Sequence, residues 1–147
     1  MVVRHSGAYR WEGVPVQDYK EAGAGNLFKD ITRQVLFEGS SDLPFQLRYF
    51  EVGPGGHSTL EHHEHAHLVF IQRGEADVLI RDKVHHVREQ DVLMIPSNAW
   101  HQFQANYGVT MGFLCLVNVE RDRPSLPTEE ELNELKQRGE VAEFIKS

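Results

Sequence analysis

The sequence predicts an all-β domain, an antiparallel sandwich or barrel, and three observations support this prediction. The chain has 147 residues, 40% of them apolar, which is enough for one domain with a hydrophobic core. From residue 31 to residue 119, short runs rich in Val, Ile, Leu and Phe alternate with turn sequences at intervals of roughly ten residues. A clear helical pattern follows only after residue 126, so the βαβ arrangement of a parallel sheet is not expected.

Eight apolar runs are candidate strands: 31–37, 45–52, 67–72, 76–81, 84–87, 91–95, 101–105 and 111–119. Segments such as VGPGG (52–56) and PSNA (96–99), rich in Gly, Pro and Asn, indicate turns between them. We therefore expect a barrel over 31–120, an N-terminal arm over 1–30 and a helical tail over 121–147. The arm contains aromatic residues without periodicity and is expected to pack on the domain or on a partner subunit.

A short helix is predicted in the tail. Thr128, with Glu131 three residues later, has the spacing of a capping box. Leu132 and Leu135 repeat at helical spacing, and acidic residues occupy the first turn, where the helix dipole favours them. Gly139 is expected to end this helix.

Composition and charge exclude several classes of protein. The formal net charge of −7 and the pI near 5.7, without a basic stripe, argue against a nucleic-acid partner. The N-terminus lacks the apolar core of a signal peptide, and no apolar run is long enough for a membrane span. Cys115 is the only cysteine, so an intrachain disulfide is impossible and a reducing, cytoplasmic location is expected. The expected partner is a small-molecule substrate.

The stretch LEHHEHAHLVFIQRG, residues 60–74, contains four histidines within six residues. Apolar residues follow at once, so the cluster belongs to the strand array and is neither a tag nor a disordered tract. Alternate side chains of an extended chain share a face. One face is therefore expected to carry the side chains of Glu61, His63, His65 and His67.

His101 is expected to supply a further metal ligand from a second strand. A divalent ion needs ligands that converge from different directions, and His101 stands at the head of a strand, directly after the turn in IPSNAW. Imidazole and carboxylate ligands suit Mn, Fe, Co, Ni or Zn, whereas the lack of cysteine in this region argues against a structural zinc site. The alternative is a polar, hydrogen-bonded barrel mouth that holds no metal.

Residues 55–74 and 90–105 resemble the two motifs of the cupin superfamily, small β-barrels that hold one metal. The first motif, a glycine followed by His-x-His, Glu and a closing glycine, falls on Gly55, Glu61, His63, His67 and Gly74. The second, Gly, Pro-x-Gly, His and Asn, falls on Gln90, Pro96, Asn98, His101 and Ala105. Glu61 stands where His is usual and His67 where Glu is usual. This reciprocal exchange preserves a set of three imidazoles and one carboxylate.

The resemblance implies a cupin-type jelly-roll barrel whose metal ligands are Glu61, His63, His67 and His101. His65 is the rival for a ligand position, or a group that orients a ligand. Manganese is the first choice of metal, with iron, nickel and zinc as alternatives. Cupins often pair through sheet edges and N-terminal arms, so the resemblance also implies a homodimer.

Within the superfamily, the segments RYFEVGPGG, LEHHEHAH, PSNAWHQF and GFLCLVNVERDRP resemble a bacterial single-domain branch. Its activity is the thiol-dependent removal of the methylthio group from 1-methylthioxylulose 5-phosphate. The resemblance implies that the metal holds the oxygens of the sugar, that Cys115 is catalytic in the sulfur step and that Arg48 holds the phosphate. The alternatives are a cupin dioxygenase or isomerase acting on another small acid or sugar, and a non-catalytic module that binds a metal or small molecule.

Other side chains allow more than one interpretation. The strand neighbours of Cys115 are apolar, so a buried core thiol is the alternative to one that faces the pocket. Arg33, Arg48 and Arg73 lie on or beside strands, where each could bind an anionic group or stay solvated. Phe103 is expected to form an apolar part of the pocket wall.

Overall fold

The computed structural model describes residues 1–20 and 27–147. Its strands are β1 (His5–Gly7), β2 (Arg10–Trp11), β3 (Gln17–Asp18), β4 (Lys29–Phe37), β5 (Phe45–His57), β6 (His67–Arg73), β7 (Glu75–Ile80), β8 (Lys83–Arg88), β9 (Val92–Ile95), β10 (His101–Gln104) and β11 (Met111–Asn118). Its helices are α1 (Glu129–Leu135) and α2 (Gly139–Phe144). The predicted all-β fold is confirmed, and each of the eight predicted strands is present.

Strands β3 to β11 form one antiparallel sheet that curls into the jelly-roll barrel. Its main path runs β8-β7-β10-β5-β11-β6-β9, and β4 pairs with β5 and carries β3 on its other side. In the β5–β11 ladder, Arg48 lies opposite Cys115 and Phe50 opposite Phe113. Because directly opposed residues share a face, this register places Arg48 and Cys115 side by side on the inner face of the barrel.

The core lies inside the curled sheet. Along β6, Val69 and Ile71 are buried while Leu68 is exposed, which is the alternation of a strand with one face in a core. Phe103 on β10 stacks on Phe113 with ring centroids 4.4 Å apart. The apolar interior therefore extends to the strand that carries His101.

The C-terminal helices cover a second, smaller cluster of apolar side chains, formed by Leu60, Leu79, Leu135, Val141 and Phe144. The predicted capping box is confirmed, because Thr128 and Glu131 each accept a hydrogen bond from the backbone N–H of the other. The prediction for Gly139 is wrong, since this residue begins α2 and does not end α1. Helix α1 ends earlier, at Leu135, which is its buried residue.

Two turns keep the backbone that glycine usually provides in cupins. Gln90 and Asn98, which stand at glycine positions of the second motif, have φ values of 77° and 59°. Asn tolerates this left-handed region better than most residues, whereas Gln does not share that preference. Both residues therefore adopt the left-handed backbone conformation that glycine favours.

The described part of the N-terminal arm packs on the barrel. Tyr9 stacks on Tyr49 with ring centroids 5.9 Å apart, and Tyr19 meets Phe50 edge-on. The part of the predicted arm at 21–26 lies outside the described residues, and the boundaries at 30 and 120 stay predictions. No described helix is long and apolar enough to cross a membrane.

Candidate metal centre

Three histidines meet at one end of the barrel interior. His67 is the first residue of β6, His101 is the first residue of β10, and His63 lies in the loop before β6. One ring nitrogen from each lies within 4.8 Å of the others. Because these side chains come from three separate segments, they approach a common point from different directions, as a metal ion requires.

Hydrogen bonds fix the orientation of two of these imidazoles. Nδ1 of His63 donates to the carbonyl oxygen of His65 at 2.7 Å, and Nδ1 of His101 donates to that of Ala99 at 2.9 Å. This leaves Nε2 of each ring with a free lone pair. Nε2 of His63 is 2.9 Å from Nε2 of His67, so two ring nitrogens that can bind a metal lie next to each other.

The three rings are in the protonation state that a metal needs. Burial lowers the pKa of His63 to about 4 and that of His101 to about 3. Burial also lowers the pKa of His67, and repulsion from His101 and His63 adds to the effect. All three are therefore neutral near pH 7 and can bind a metal without first losing a proton. This set of donors fits a divalent transition metal.

Glu61 lies at the edge of the triad. Its Oε1 is 4.0 Å from Nε2 of His101, and its Oε2 accepts a hydrogen bond from Lys20 Nζ. The side chain is buried, so the ion pair with Lys20 provides the positive charge that a buried carboxylate requires. Glu61 is close enough to join the histidines around an ion after a small movement, and its role as a ligand stays a prediction.

His65 faces Asp122 and is not part of the triad. Its Nδ1 is 2.8 Å from Oδ1 of Asp122, and its ring is stacked on that of His63 with centroids 3.6 Å apart. Asp122 also accepts the backbone N–H groups of Glu64 and His65, and these hydrogen bonds lower the pKa of its carboxyl group. Asp122 therefore holds the loop that carries His63.

The segment before β6 is not a strand, although the alternation of its side chains predicted one. Glu61 pairs with His101 only as an isolated bridge, and regular pairing begins at His67. The N–H groups of Glu64 and His65 are bound by the carboxylate of Asp122 and not by a neighbouring strand. The ring of His62 packs against Trp100, with centroids 4.3 Å apart, and is not part of the triad.

Cys115 lies in the wall of the same pocket and is almost completely buried. Its Sγ is 3.2 Å from Nδ1 of His67 and 3.4 Å from Nη2 of Arg48. Burial raises the pKa of the thiol, and the positive charge of Arg48 acts in the opposite direction. The two interpretations of Cys115 are compatible, since the thiol is both buried in the core and in contact with the pocket.

The pocket has a volume of about 230 Å³ and contains most of the other candidates. Arg48, Phe103 and Arg33 all line it, as does the histidine triad. Arg73 does not, because its guanidinium pairs with Glu51 at 3.2 Å outside the pocket. The pocket therefore has the histidine triad, a thiol, arginines and aromatic rings on its walls.

Several pocket residues were not identified from the sequence, among them Tyr19, Lys20, Arg121 and Asp122. Tyr19 and Lys20 belong to the arm, where no periodicity indicated which side chains face inward. Arg121 and Asp122 follow β11 in the charged run ERDR. This run was the one feature of the sequence that could have indicated them as pocket residues. They reach the pocket because the chain folds back over the loop at 61–66, a long-range contact that local patterns do not show.

Known proteins share this architecture. A sequence profile described as a cupin domain matches residues 48–117. The 1-methylthio-D-xylulose 5-phosphate methylsulfurylase of Rhodospirillum rubrum is 50% identical over 137 residues, which cover 93% of this chain and 86% of that protein.

Two crystal structures are closely similar. A cupin 2 conserved barrel domain protein from Rhodopseudomonas palustris has a TM-score of 0.93 and 43% identity, with all of both chains covered. A cupin-2 domain protein from Rhodospirillum rubrum has a TM-score of 0.86 and 49% identity, covering 94% of this chain and 91% of its own. The barrel, the arm and the C-terminal tail are thus all included in the similarity.

Proposed function

Because this chain belongs to the cupin superfamily, in the branch that includes the R. rubrum methylsulfurylase, we propose that it is a metal-dependent, thiol-dependent enzyme that removes the methylthio group from 1-methylthio-D-xylulose 5-phosphate. The observation that carries the proposal is the position of Cys115. Its sulfur lies in one pocket with the histidine triad and contacts both His67 and Arg48. The site thus combines oxygen-binding and sulfur-attacking groups.

In the proposed reaction, Cys115 attacks the methylthio sulfur of the substrate. An S–S bond forms while the bond between that sulfur and C1 breaks, and the electron pair of the broken bond passes into the ketone as an enolate. The proton given up by the thiol returns at C1, so the sugar leaves as a 1-deoxy ketose phosphate. A small thiol then attacks the mixed disulfide, carries away the methylthio group as its own disulfide and restores Cys115.

The surroundings of Cys115 fit this role. A thiol reacts as its thiolate, and the guanidinium of Arg48 at 3.4 Å stabilises the negative charge. If Nε2 of His67 is the metal-binding atom, Nδ1 carries the proton and donates to the sulfur. Both contacts lower the cost of forming a thiolate in a buried position.

We propose Glu61, His63, His67 and His101 as the ligands of a divalent metal, with manganese the first choice and iron, nickel or zinc as alternatives. When bound, the metal supplies positive charge that stabilises the negative charge developing on the ketone oxygen. Phe103 forms an apolar wall beside His101 and excludes water from the reacting atoms.

A homodimer is also part of the proposal. Strand β9 is an edge of the sheet, and its Val92 and Met94, with Leu68 on β6, expose apolar side chains on the outer face. An edge strand with exposed apolar residues favours pairing with another chain. Sedimentation equilibrium should therefore show twice the mass of the chain, and a strictly monomeric protein would refute this part.

Mass spectrometry of the intact protein tests the reaction. Metal-loaded protein incubated with substrate and no added thiol should gain one methylthio group in place of a hydrogen, and a small thiol should remove it. Cys115→Ser should gain nothing, while Arg88→Gln, at an exposed position on β8, should behave as wild type. Wild-type protein that carries metal but forms neither adduct nor product would overturn the proposed function.

Elemental analysis tests the metal site separately. Untagged wild-type protein should contain a divalent metal that is reduced or lost in Glu61→Ala and His101→Ala variants. If wild type contains no more metal than the variants, the ligand assignment is wrong.

A further inference from the structure

Three arginines from three segments line the pocket that contains the histidine triad: Arg33 from β4, Arg48 from β5 and Arg121 from the chain after β11. In the β4–β5 ladder, Arg33 lies opposite Phe50, a core residue, so its side chain points into the barrel. Arg48 lies opposite Cys115 on the other neighbour of β5. The arginines are thus gathered on one side of the pocket.

In the described part of the chain, no carboxylate pairs with Arg33 or Arg48 in this cluster. Among residues 1–20 and 27–147, neither Arg33 nor Arg48 has a carboxylate within 4.0 Å, and Nε of each is buried without a hydrogen-bond partner. Glu61 and Asp122, the pocket carboxylates, are engaged by Lys20 and by the loop containing His65. A buried N–H group without an acceptor is costly, so a negatively charged ligand that supplies acceptors to these arginines would be stabilised in the pocket.

Arg121 adds to the positive potential. Its guanidinium donates to the backbone carbonyls of Asn118 and Val119 and to the amide oxygen of Gln46, all of them neutral groups. Burial lowers the pKa of Arg121, and repulsion from Arg48 is the next cause. The guanidiniums are therefore close enough to repel one another, in a chain whose overall charge is −7.

We propose that Arg33, Arg48 and Arg121 form a subsite for a dianionic phosphate monoester in the pocket that also contains Cys115 and the histidine triad. The inference rests on the proposed function and assigns the anion-binding groups of the same pocket. Guanidinium groups bind phosphate oxygens through paired hydrogen bonds, and three of them match the charge and number of oxygens of phosphate better than those of a carboxylate.

The subsite also orients the substrate. Sγ of Cys115 contacts both His67 and Arg48, so the thiol adjoins a histidine of the triad and an arginine of the subsite. A phosphate held by the arginines and a ketone oxygen directed to the triad leave the carbon chain to cross the pocket beside the thiol. Phosphate binding is thus expected to determine which ketoses the enzyme accepts.

Arg33→Gln is the sharpest test, because among the described residues this side chain makes no hydrogen bond that the substitution would remove. Isothermal titration of metal-loaded protein with D-xylulose 5-phosphate should give a Kd about 10- to 100-fold higher for Arg33→Gln than for wild type. Arg33→Lys, which keeps the charge, should recover part of the loss. Arg88→Gln, exposed on β8, should bind as wild type.

A comparison of the phosphorylated and unphosphorylated sugars tests the subsite in the wild-type protein, without any substitution. Wild type should bind D-xylulose 5-phosphate much more tightly than D-xylulose, and inorganic phosphate should compete with the sugar phosphate. Equal binding of both sugars by wild type, or an unchanged Kd in Arg33→Gln, would overturn the subsite even if methylthio removal is observed. Arginine-dependent binding without methylthio removal would support the subsite and refute the proposed reaction.

Discussion

Gln102 connects the C-terminal tail to β10, the strand that carries His101. Its side chain is fully buried and points to the opposite side of the strand from His101. Its amide nitrogen donates to the carbonyls of Ser58 at 2.9 Å and Lys146 at 2.8 Å, and its oxygen accepts from the Lys146 N–H at 2.9 Å and from Nε2 of Gln104 at 3.1 Å. Gln102→Leu keeps a similar side-chain volume and removes all of these hydrogen bonds.

The expected loss of stability follows from the hydrogen bonds that Gln102→Leu removes. Four hydrogen bonds are lost at about 1 kcal/mol net each, so the free energy of unfolding should fall by about 4 kcal/mol. In a domain of this size the Tm should decrease by about 8–16 °C. Because β10 loses its support from the tail, metal affinity at His101 should fall as well.

Calorimetric unfolding of the metal-free protein measures the effect on stability, and titration with Mn²⁺ measures the effect on the site. Gln137→Leu is a matched control, since this glutamine is exposed just after α1. A fall of less than about 1 kcal/mol in the free energy of unfolding, the range of ordinary surface substitutions, would refute the idea that Gln102 anchors the tail.

Four further outcomes are expected. His101→Ala should keep the circular dichroism spectrum of wild type but contain less metal by elemental analysis. Metal-free protein should lose stability in urea as the pH falls from about 6.5 towards 4, because burial lowers the pKa of His63 to about 4 and the unfolded chain therefore takes up that proton first. Asp122→Asn should raise the Kd for metal about tenfold by calorimetric titration, since the loop carrying His63 loses an acceptor. The double variant Glu61→His/His67→Glu should still bind metal but transfer the methylthio group to Cys115 more slowly in single-turnover mass spectrometry.

The strands were predictable because each has one face in the core. In β6, the buried residues Val69 and Ile71 alternate with exposed Leu68, and this pattern is present in the sequence itself. The capping box of α1 was equally predictable, since its hydrogen bonds join Thr128 and Glu131, residues that are close along the chain. Local geometry and burial on one face are the two properties that a single sequence expresses directly.

The errors arose where distant segments determine the local structure. Residues 61–66 have the alternation of a strand, but the carboxylate of Asp122 binds the N–H groups of Glu64 and His65. Lys20 could not be placed beside Glu61 from a segment without periodicity. Gly139 was expected to end α1, yet the burial of Val141 and Phe144 on the barrel makes it the first residue of α2.

The reciprocal exchange of Glu61 and His67 has a physical consequence for Cys115. In the usual cupin arrangement a carboxylate would replace His67, whose Nδ1 is 3.2 Å from the sulfur. A carboxylate there would repel the thiolate and add to the burial that already raises the pKa of Cys115. An imidazole N–H can instead donate to the sulfur, while the carboxylate of Glu61 is paired with Lys20. The exchange therefore keeps the charge of the ligand set and removes a negative charge from beside the thiol, as the proposed attack by Cys115 requires.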